Sequence, residues 1–176
     1  MKTCLIVVDY QNDFVDGALG FEAAKAIEAR IVDHIQRTRK EKGTVIFTLD
    51  THDACYLETE EGRHLPVEHC LKGTLGHRLT ERIEALRAPE DPLFEKPTFP
   101  SLELGAYLKQ EAFTHIRLVG LVSNICVLSN AVIAKAACPQ AKILIDAAAT
   151  ASFDLSLHEK ALDVMAGLHI HIENRG

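Results

Sequence analysis

An alternation constrains this chain more than any other feature. Short runs of β-branched and aliphatic residues recur along it, separated by stretches with helical periodicity. Residues 4–8, 44–48, 116–119 and 142–145, with a weaker run at 168–172, have the length and composition of buried strands. Between the first two, residues 22–40 place Ala23, Ile27, Ile31 and Ile35 at four-residue intervals. That spacing draws one apolar stripe along a helix whose other face is charged, and Gly43 ends it. Residues 79–86, 102–111, 125–137 and 155–167 read the same way. Strands joined through helices need crossover connections, so the pattern predicts a mostly parallel sheet covered by helices on both faces. At 176 residues, a single domain over 1–176 is expected, with enough chain to bury a substantial core.

The segment 50–100 departs from the pattern and holds five of the six prolines, Pro66, Pro89, Pro92, Pro97 and Pro100. Connections this long inside a compact unit usually carry function. In an open parallel sheet, ligands bind beyond the carboxyl ends of the strands, where the strand order reverses. Three chemically capable residues fall at such ends. Asp9 follows the apolar run of residues 4–8, Lys96 follows the short candidate strand Leu93, Phe94 and Glu95, and Cys126 opens the helix that carries Val127, Ala131 and Ala134. A cysteine at a helix start has unpaired N–H groups beside it, which favour a thiolate and any oxyanion formed when sulfur attacks a carbonyl. A carboxylate can take the thiol proton, and an ammonium group can hold that carboxylate in place.

Other classes find less support. A formal charge of −6 with no basic, aromatic-interleaved stripe disfavours nucleic acid as a partner. The first apolar run, residues 5–8, is too short for a signal core or a membrane span, so a cytoplasmic setting without membrane association is expected. The five cysteines form an odd set without a Cys-x-x-Cys pair, which predicts thiols packed as small hydrophobes and argues against a thiol redox protein.

Three motifs together resemble the isochorismatase-like hydrolase superfamily and its cysteine hydrolases: Asp9-Tyr10-Gln11-Asn12-Asp13-Phe14, Lys96-Pro97-Thr98-Phe99, and Gly120-Leu121-Val122-Ser123-Asn124-Ile125-Cys126-Val127. The resemblance covers nearly the whole chain. It implies a Rossmann-like three-layer fold with a six-stranded sheet, and hydrolysis of a small amide through a thioester by Asp9, Lys96 and Cys126. It also implies a cis peptide at Leu121-Val122, with the Val122 and Cys126 N–H groups forming an oxyanion hole, and Phe14 in the pocket wall. Superfamily members that cleave a vinyl ether lack the cysteine, so Cys126 speaks against that reaction.

Within the superfamily, Asp50-Thr51-His52 and Leu65-Pro66-Val67-Glu68-His69-Cys70 are similar to the metal motifs of nicotinamidases. The resemblance implies a divalent metal (zinc, iron or manganese) on Asp50, His52 and His69, with Glu61 as a fourth ligand, and no organic cofactor. Leu65 takes the place usual for a ring-stacking tryptophan at the substrate pocket. One extra residue separates Pro66 from His69, which makes His64 a competitor for the ligand position. The implied reaction is nicotinamide to nicotinate plus ammonia. N-carbamoyl or ureido compounds are alternative substrates, and a catalytically silent binding module is an alternative class. A homo-oligomer, dimer or tetramer, is also implied. The remaining histidines are read as structural: His169 and His171 on a terminal strand, and His34, His77, His115 and His158 in or near helices.

Overall fold

The computed structural model describes residues 2–176; Met1, the first residue of the expected domain span, lies outside them. The elements run β1 (Thr3–Val8), α1 (Asn12–Val15), α2 (Glu22–Ala26), α3 (Glu28–Lys40), β2 (Thr44–Asp50), α4 (Glu60–His64), α5 (Glu81–Glu84), β3 (Leu93–Lys96), α6 (Leu102–Glu111), β4 (His115–Leu121), α7 (Leu128–Ala137), β5 (Lys142–Ala151), α8 (Leu155–Gly167) and β6 (His171–Glu173). Every strand pairing is parallel, in the order β3-β2-β1-β4-β5-β6, so the Rossmann-like α/β expectation holds. The order reverses between β1 and β4. That is where a doubly wound sheet opens a crevice.

Strand alternation divides the core into two layers. Cys4, Ile6 and Val8 of β1 pack with Leu104 and Leu108 of α6, Ala131 and Ala134 of α7, and Leu162 and Met165 of α8. Leu5 and Val7 face the other way, onto Phe14 of α1, Ile31 and Ile35 of α3, and Ile83 of α5. At the carboxyl ends the register sets Val8 beside both Thr48 and Gly120, and Asp50 beside Lys96. Gly120 has φ +109, and a Cβ there would lie 2.1 Å from the Val8 carbonyl oxygen. Only glycine lets β4 approach β1 so closely at the crevice.

Several element boundaries differ from the sequence reading. The helix expected over 22–40 breaks at Ile27, because the Tyr10 hydroxyl donates to the Ala24 carbonyl (2.7 Å), the acceptor a continuous helix would offer to Glu28. Ala24, not Ala23, is the buried alanine of that segment. Of residues 79–86 only Glu81–Glu84 is helical, since Leu79 bridges Gln11 and the Thr80 N–H donates to the Tyr10 carbonyl. The expected strand at 168–172 shrinks to His171–Glu173, because Leu168, His169 and Ile170 fold back onto the end of α8, with His169 at φ +62. His115 begins β4, just past the end of α6. Among the described residues no helix is long and apolar enough to cross a membrane.

Candidate active site

The loop after β1 turns at once: Asp9 has φ +44, and its N–H donates to the Thr48 carbonyl. The Thr48 hydroxyl donates to Asp9 Oδ1 at 2.6 Å, fixing the carboxylate's rotation. The other oxygen, Oδ2, lies 2.6 Å from Lys96 Nζ. From the last residue of β3, that ammonium also reaches Asp50 Oδ1 (3.4 Å), the Thr98 carbonyl (3.2 Å) and Cys126 Sγ (3.5 Å). Asp9, Lys96 and Cys126, far apart in sequence, therefore meet in one buried corner. A buried ammonium is tolerated only when its donors are met, and here two carboxylates, a carbonyl and a sulfur surround it.

Cys126 does not open an ordinary helix. Residues Ser123–Val127 form a π-turn ahead of α7, in which the Val127 N–H reaches back to the Val122 carbonyl (3.1 Å). Such turns recur at functional sites because they project one side chain out of helical register. The Leu121-Val122 peptide preceding it is cis, as the resemblance implied. The thiol differs from the expectation of a depressed pKa. Complete burial pushes it well above the usual cysteine range, Lys96 offsets this only in part, and Asp9 adds to the rise through its charge and its hydrogen bond to the thiol. The sulfur therefore rests protonated and needs a base beside it. Burial also raises the Asp9 carboxyl, against the pull of Lys96, which makes it a stronger proton acceptor than an ordinary carboxylate.

Sequence reasoning missed three residues that hold this corner. The Gln11 side chain donates to the Asp50 and His77 carbonyls (2.8 Å each) and accepts from the Asp50 N–H (2.8 Å), tying the ends of β1 and β2 together. Asn130, on α7, donates to the Cys126 carbonyl (2.8 Å) and the Phe99 carbonyl (3.0 Å) and accepts from the Ser101 N–H (3.0 Å). It thus joins the lysine turn to the cysteine turn. Thr48 is the third. Each could have been flagged as a polar residue at a position that should be buried.

Beside the corner lies a second cluster. Side-chain atoms of Asp50, His52, Glu61 and His69 lie within 4.8 Å of one another. Asp50 Oδ2 is 3.1 Å from His52 Nε2 and 3.4 Å from His69 Nε2, while Glu61 Oε1 is 3.6 and 3.9 Å from the same nitrogens. The chain returns to build it: Leu71 bridges His52, which brings His69 alongside. His69 Nδ1 bonds the Val67 carbonyl (2.8 Å), which orients Nε2 into the cluster as a ligand-orienting contact would. Tyr56, also missed from the sequence, packs against both imidazoles, with ring centroids 4.6 and 4.9 Å away. His64 is turned to solvent and pairs with Glu60 (3.1 Å), so it does not join the cluster.

This donor set fits a divalent cation. Two imidazoles and two carboxylates converge in a largely buried space, and Glu61 Oε2 is buried with no hydrogen-bond partner. Burial and the neighbouring Asp50 push the Glu61 carboxyl up, the mark of a negative charge short of positive company. Burial would raise Asp50 too, but bonds to His52 and His69 together with Lys96 hold it well below the usual carboxylate range.

Both groups face one cavity of about 320 Å³, lined by Asp50, Glu61 and His69 on one side and by Phe14, Leu65, Phe99, Val122, Ile125 and Cys126 among the rest. Phe14 packs on the His69 ring at 5.6 Å. Among the described residues, those lining the cavity include no lysine or arginine.

An all-parallel doubly wound sheet with a buried acid, amine and thiol at its switch point defines a class: α/β proteins with a ligand crevice at the carboxyl edge of the sheet. The particular assignment comes from comparison. Residues 3–173 match the isochorismatase domain, and the chain belongs to that family. An uncharacterized isochorismatase family protein PncA of Bacillus subtilis (strain 168) is 32% identical over 177 residues, covering 94% of this chain and 95% of that protein. The crystal structure of nicotinamidase/pyrazinamidase PncA from Bacillus subtilis superimposes with a TM-score of 0.88 at 33% identity, over 98% of this chain and 99% of that one. The pyrazinamidase of Pyrococcus horikoshii in complex with zinc shares the fold, with a TM-score of 0.84 at 23% identity over 98% of each chain.

Proposed function

We propose that this chain is a cytoplasmic amidohydrolase that converts nicotinamide to nicotinate and ammonia through a thioester on Cys126. The observation that carries the reading is the buried contact of Lys96 with both Asp9 and Cys126 at the floor of an apolar cavity. Asp9 takes the thiol proton, and the sulfur attacks the carboxamide carbon. The resulting oxyanion is received by the Val122 and Cys126 N–H groups. As the tetrahedral intermediate collapses, the proton held by Asp9 passes to the departing nitrogen, which leaves as ammonia. Asp9 then takes a proton from water, and the hydroxide attacks the thioester carbon. Collapse releases the carboxylic acid and returns a proton to the sulfur. Lys96 keeps the Asp9 carboxylate in place and balances its charge throughout.

Asp50, His52, Glu61 and His69 hold a divalent metal in this reading. When bound, the metal supplies a Lewis-acid position for the ring nitrogen of the substrate. Phe14 and Leu65 flank the ring. The N-carbamoyl acids are disfavoured as substrates, because the described lining holds no lysine or arginine to receive their carboxylate and is largely apolar away from the Asp50 cluster. All five cysteines are free, in keeping with a reducing compartment.

The test is a kinetic panel of the purified protein against nicotinamide, pyrazinamide and N-carbamoyl amino acids, with metal analysis of the same sample. Release of ammonia from the aryl amides in preference to the carbamoyl acids is the expected outcome. Cys126→Ala should lose on the order of 10⁴-fold or more in kcat, and rapid quenching of the wild type should yield a protein mass increased by the acyl group. Full turnover by Cys126→Ala would end the proposal.

A further inference from the structure

Four of the chain's seven phenylalanines, Phe14, Phe21, Phe99 and Phe153, line the cavity in front of Cys126. Exposure orders the lining from floor to rim: Cys126 is 4% and Phe14 6% exposed, Phe99 is 38%, and Phe153 is 63%. At the rim, the Phe21 and Phe153 rings meet edge to face, with centroids 6.1 Å apart and an interplanar angle of 89°. Phe153 makes little use of its ring in the fold. It sits between the end of β5 and α8, where the Asp154 N–H donates to Ser152 Oγ (3.1 Å) and Asp154 itself caps α8, so its backbone is held firmly. Phe21 is fixed from the other side, as the residue before α2 in a turn where the Gly20 N–H reaches the Gly17 carbonyl. One exposed phenylalanine is ordinary. Here an exposed ring on a fixed backbone continues an apolar wall that begins beside a nucleophile, and that arrangement has the character of a binding surface.

We propose that Phe21 and Phe153 form an aromatic subsite at the rim of the pocket. It selects carboxamides that carry an uncharged apolar or aromatic substituent on the edge of the ring away from the amide. The inference rests on the amidohydrolase reading for the placement of the amide at Cys126. The polar lining is confined to Asp50, Glu61 and His69 on the metal side together with Cys126, so the substituent meets only apolar side chains and the Gly20 backbone. Leu65 lines the same cavity as these phenylalanines. A substituent between them gains apolar burial and ring contacts of the kind worth a several-fold change in affinity.

The experiment measures binding separately from turnover. In a Cys126→Ala background, calorimetry gives the Kd of nicotinamide and of 5-phenylnicotinamide, each alone and with Phe153→Ala, Phe153→Leu or Phe21→Ala added. The phenyl compound is expected to bind more tightly than nicotinamide. Phe153→Ala should weaken the phenyl compound roughly three- to tenfold relative to nicotinamide, with Phe153→Leu between. A Kd ratio that none of the three variants moves, or failure of the phenyl compound to bind, overturns the subsite. An unmoved ratio accompanied by a changed sedimentation coefficient would show that the rings contact a second copy of the chain instead, which also overturns it. Turnover by the wild type is read in parallel. If neither amide is hydrolysed yet the ratio moves as expected, the amidohydrolase reading fails and the rim subsite stands. If nicotinamide is hydrolysed and the ratio does not move, the subsite alone fails.

Discussion

Three residues that the sequence pattern picked out share one property: each is a reactive side chain at or shortly after the end of a candidate strand. Asp9, Lys96 and Cys126 were legible for that reason, because a parallel sheet gathers its strand ends along one carboxyl edge, whereas Asp50 and the rest of its cluster were read only from the resemblance. Gln11 was quoted within a motif but its role was not readable, since its partners are backbone groups of β2 and of the loop at His77, more than 35 residues away. Thr48 and Asn130 were hidden because their partners, the Asp9 carboxylate for the one and Phe99 and Ser101 for the other, are not local in sequence either. Removing the Gln11 amide should show how much rests on it. Gln11→Ala leaves the Asp50 N–H, the Asp50 carbonyl and the His77 carbonyl without their partner, at a cost of roughly 3 kcal/mol. The expected outcome is a lower urea midpoint with an unchanged m-value, and less of the metal proposed for the Asp50 cluster retained per chain, because Asp50 loses its anchor. An unchanged midpoint and metal content would show that water replaces the amide without loss.

At the scale of elements, periodicity located the long helices α6 and α8 and the strand cores, and it erred where a tertiary hydrogen bond took over a backbone group. The break at Ile27 comes from the Tyr10 hydroxyl, and the shortening of 79–86 comes from pairing with the chain after β1. Neither partner is local, so no helical pattern could reveal them. The π-turn at Ser123–Val127 escaped for a different reason: its residues continue the apolar pattern of α7, and only the ladder of bonds distinguishes it. Gly120 is where element geometry and site geometry depend on one residue. In Gly120→Ala the new Cβ meets the Val8 carbonyl at a backbone angle of φ +109, so β4 must move away from β1. Strain of this kind costs on the order of 3 kcal/mol. Denaturant unfolding should show that loss, and any turnover of the proposed substrate, nicotinamide, should fall further than stability alone explains, because β4 carries the turn that holds Cys126. Stability and turnover close to wild type would mean that the two strands adjust at little cost.

Across the whole molecule the layer order, the sheet and the crevice were readable from the alternation, while the ties between layers were not. One such tie is Asp146 of β5, whose side chain is fully buried and accepts from Arg30 Nε (2.8 Å) and pairs with His34 Nε2 (2.6 Å), both on α3. The sequence reading gave His34 a structural role, but its partner lies 112 residues away and belongs to a strand read four residues long instead of ten. Burial alone would raise the Asp146 carboxyl; the bonds from His34, Arg30 and Asn174 outweigh it and hold the group below the usual carboxylate range. The folded-state pKa is therefore depressed relative to the unfolded chain. Its contribution to stability is present above the unfolded value, about pH 4, and is lost as pH falls from there through the folded value. Arg30 is partly exposed, so solvent screening discounts the pair to about 2 kcal/mol. Asp146→Asn should lower the unfolding free energy at pH 7 by that amount, read as a lower urea midpoint at an unchanged m-value. The gap between variant and wild type should narrow as the pH is taken from about 4 toward 2, because the wild type there loses what the variant never had. A gap that stays constant across that range would show that packing of the side chain, and not its charge, joins α3 to the sheet.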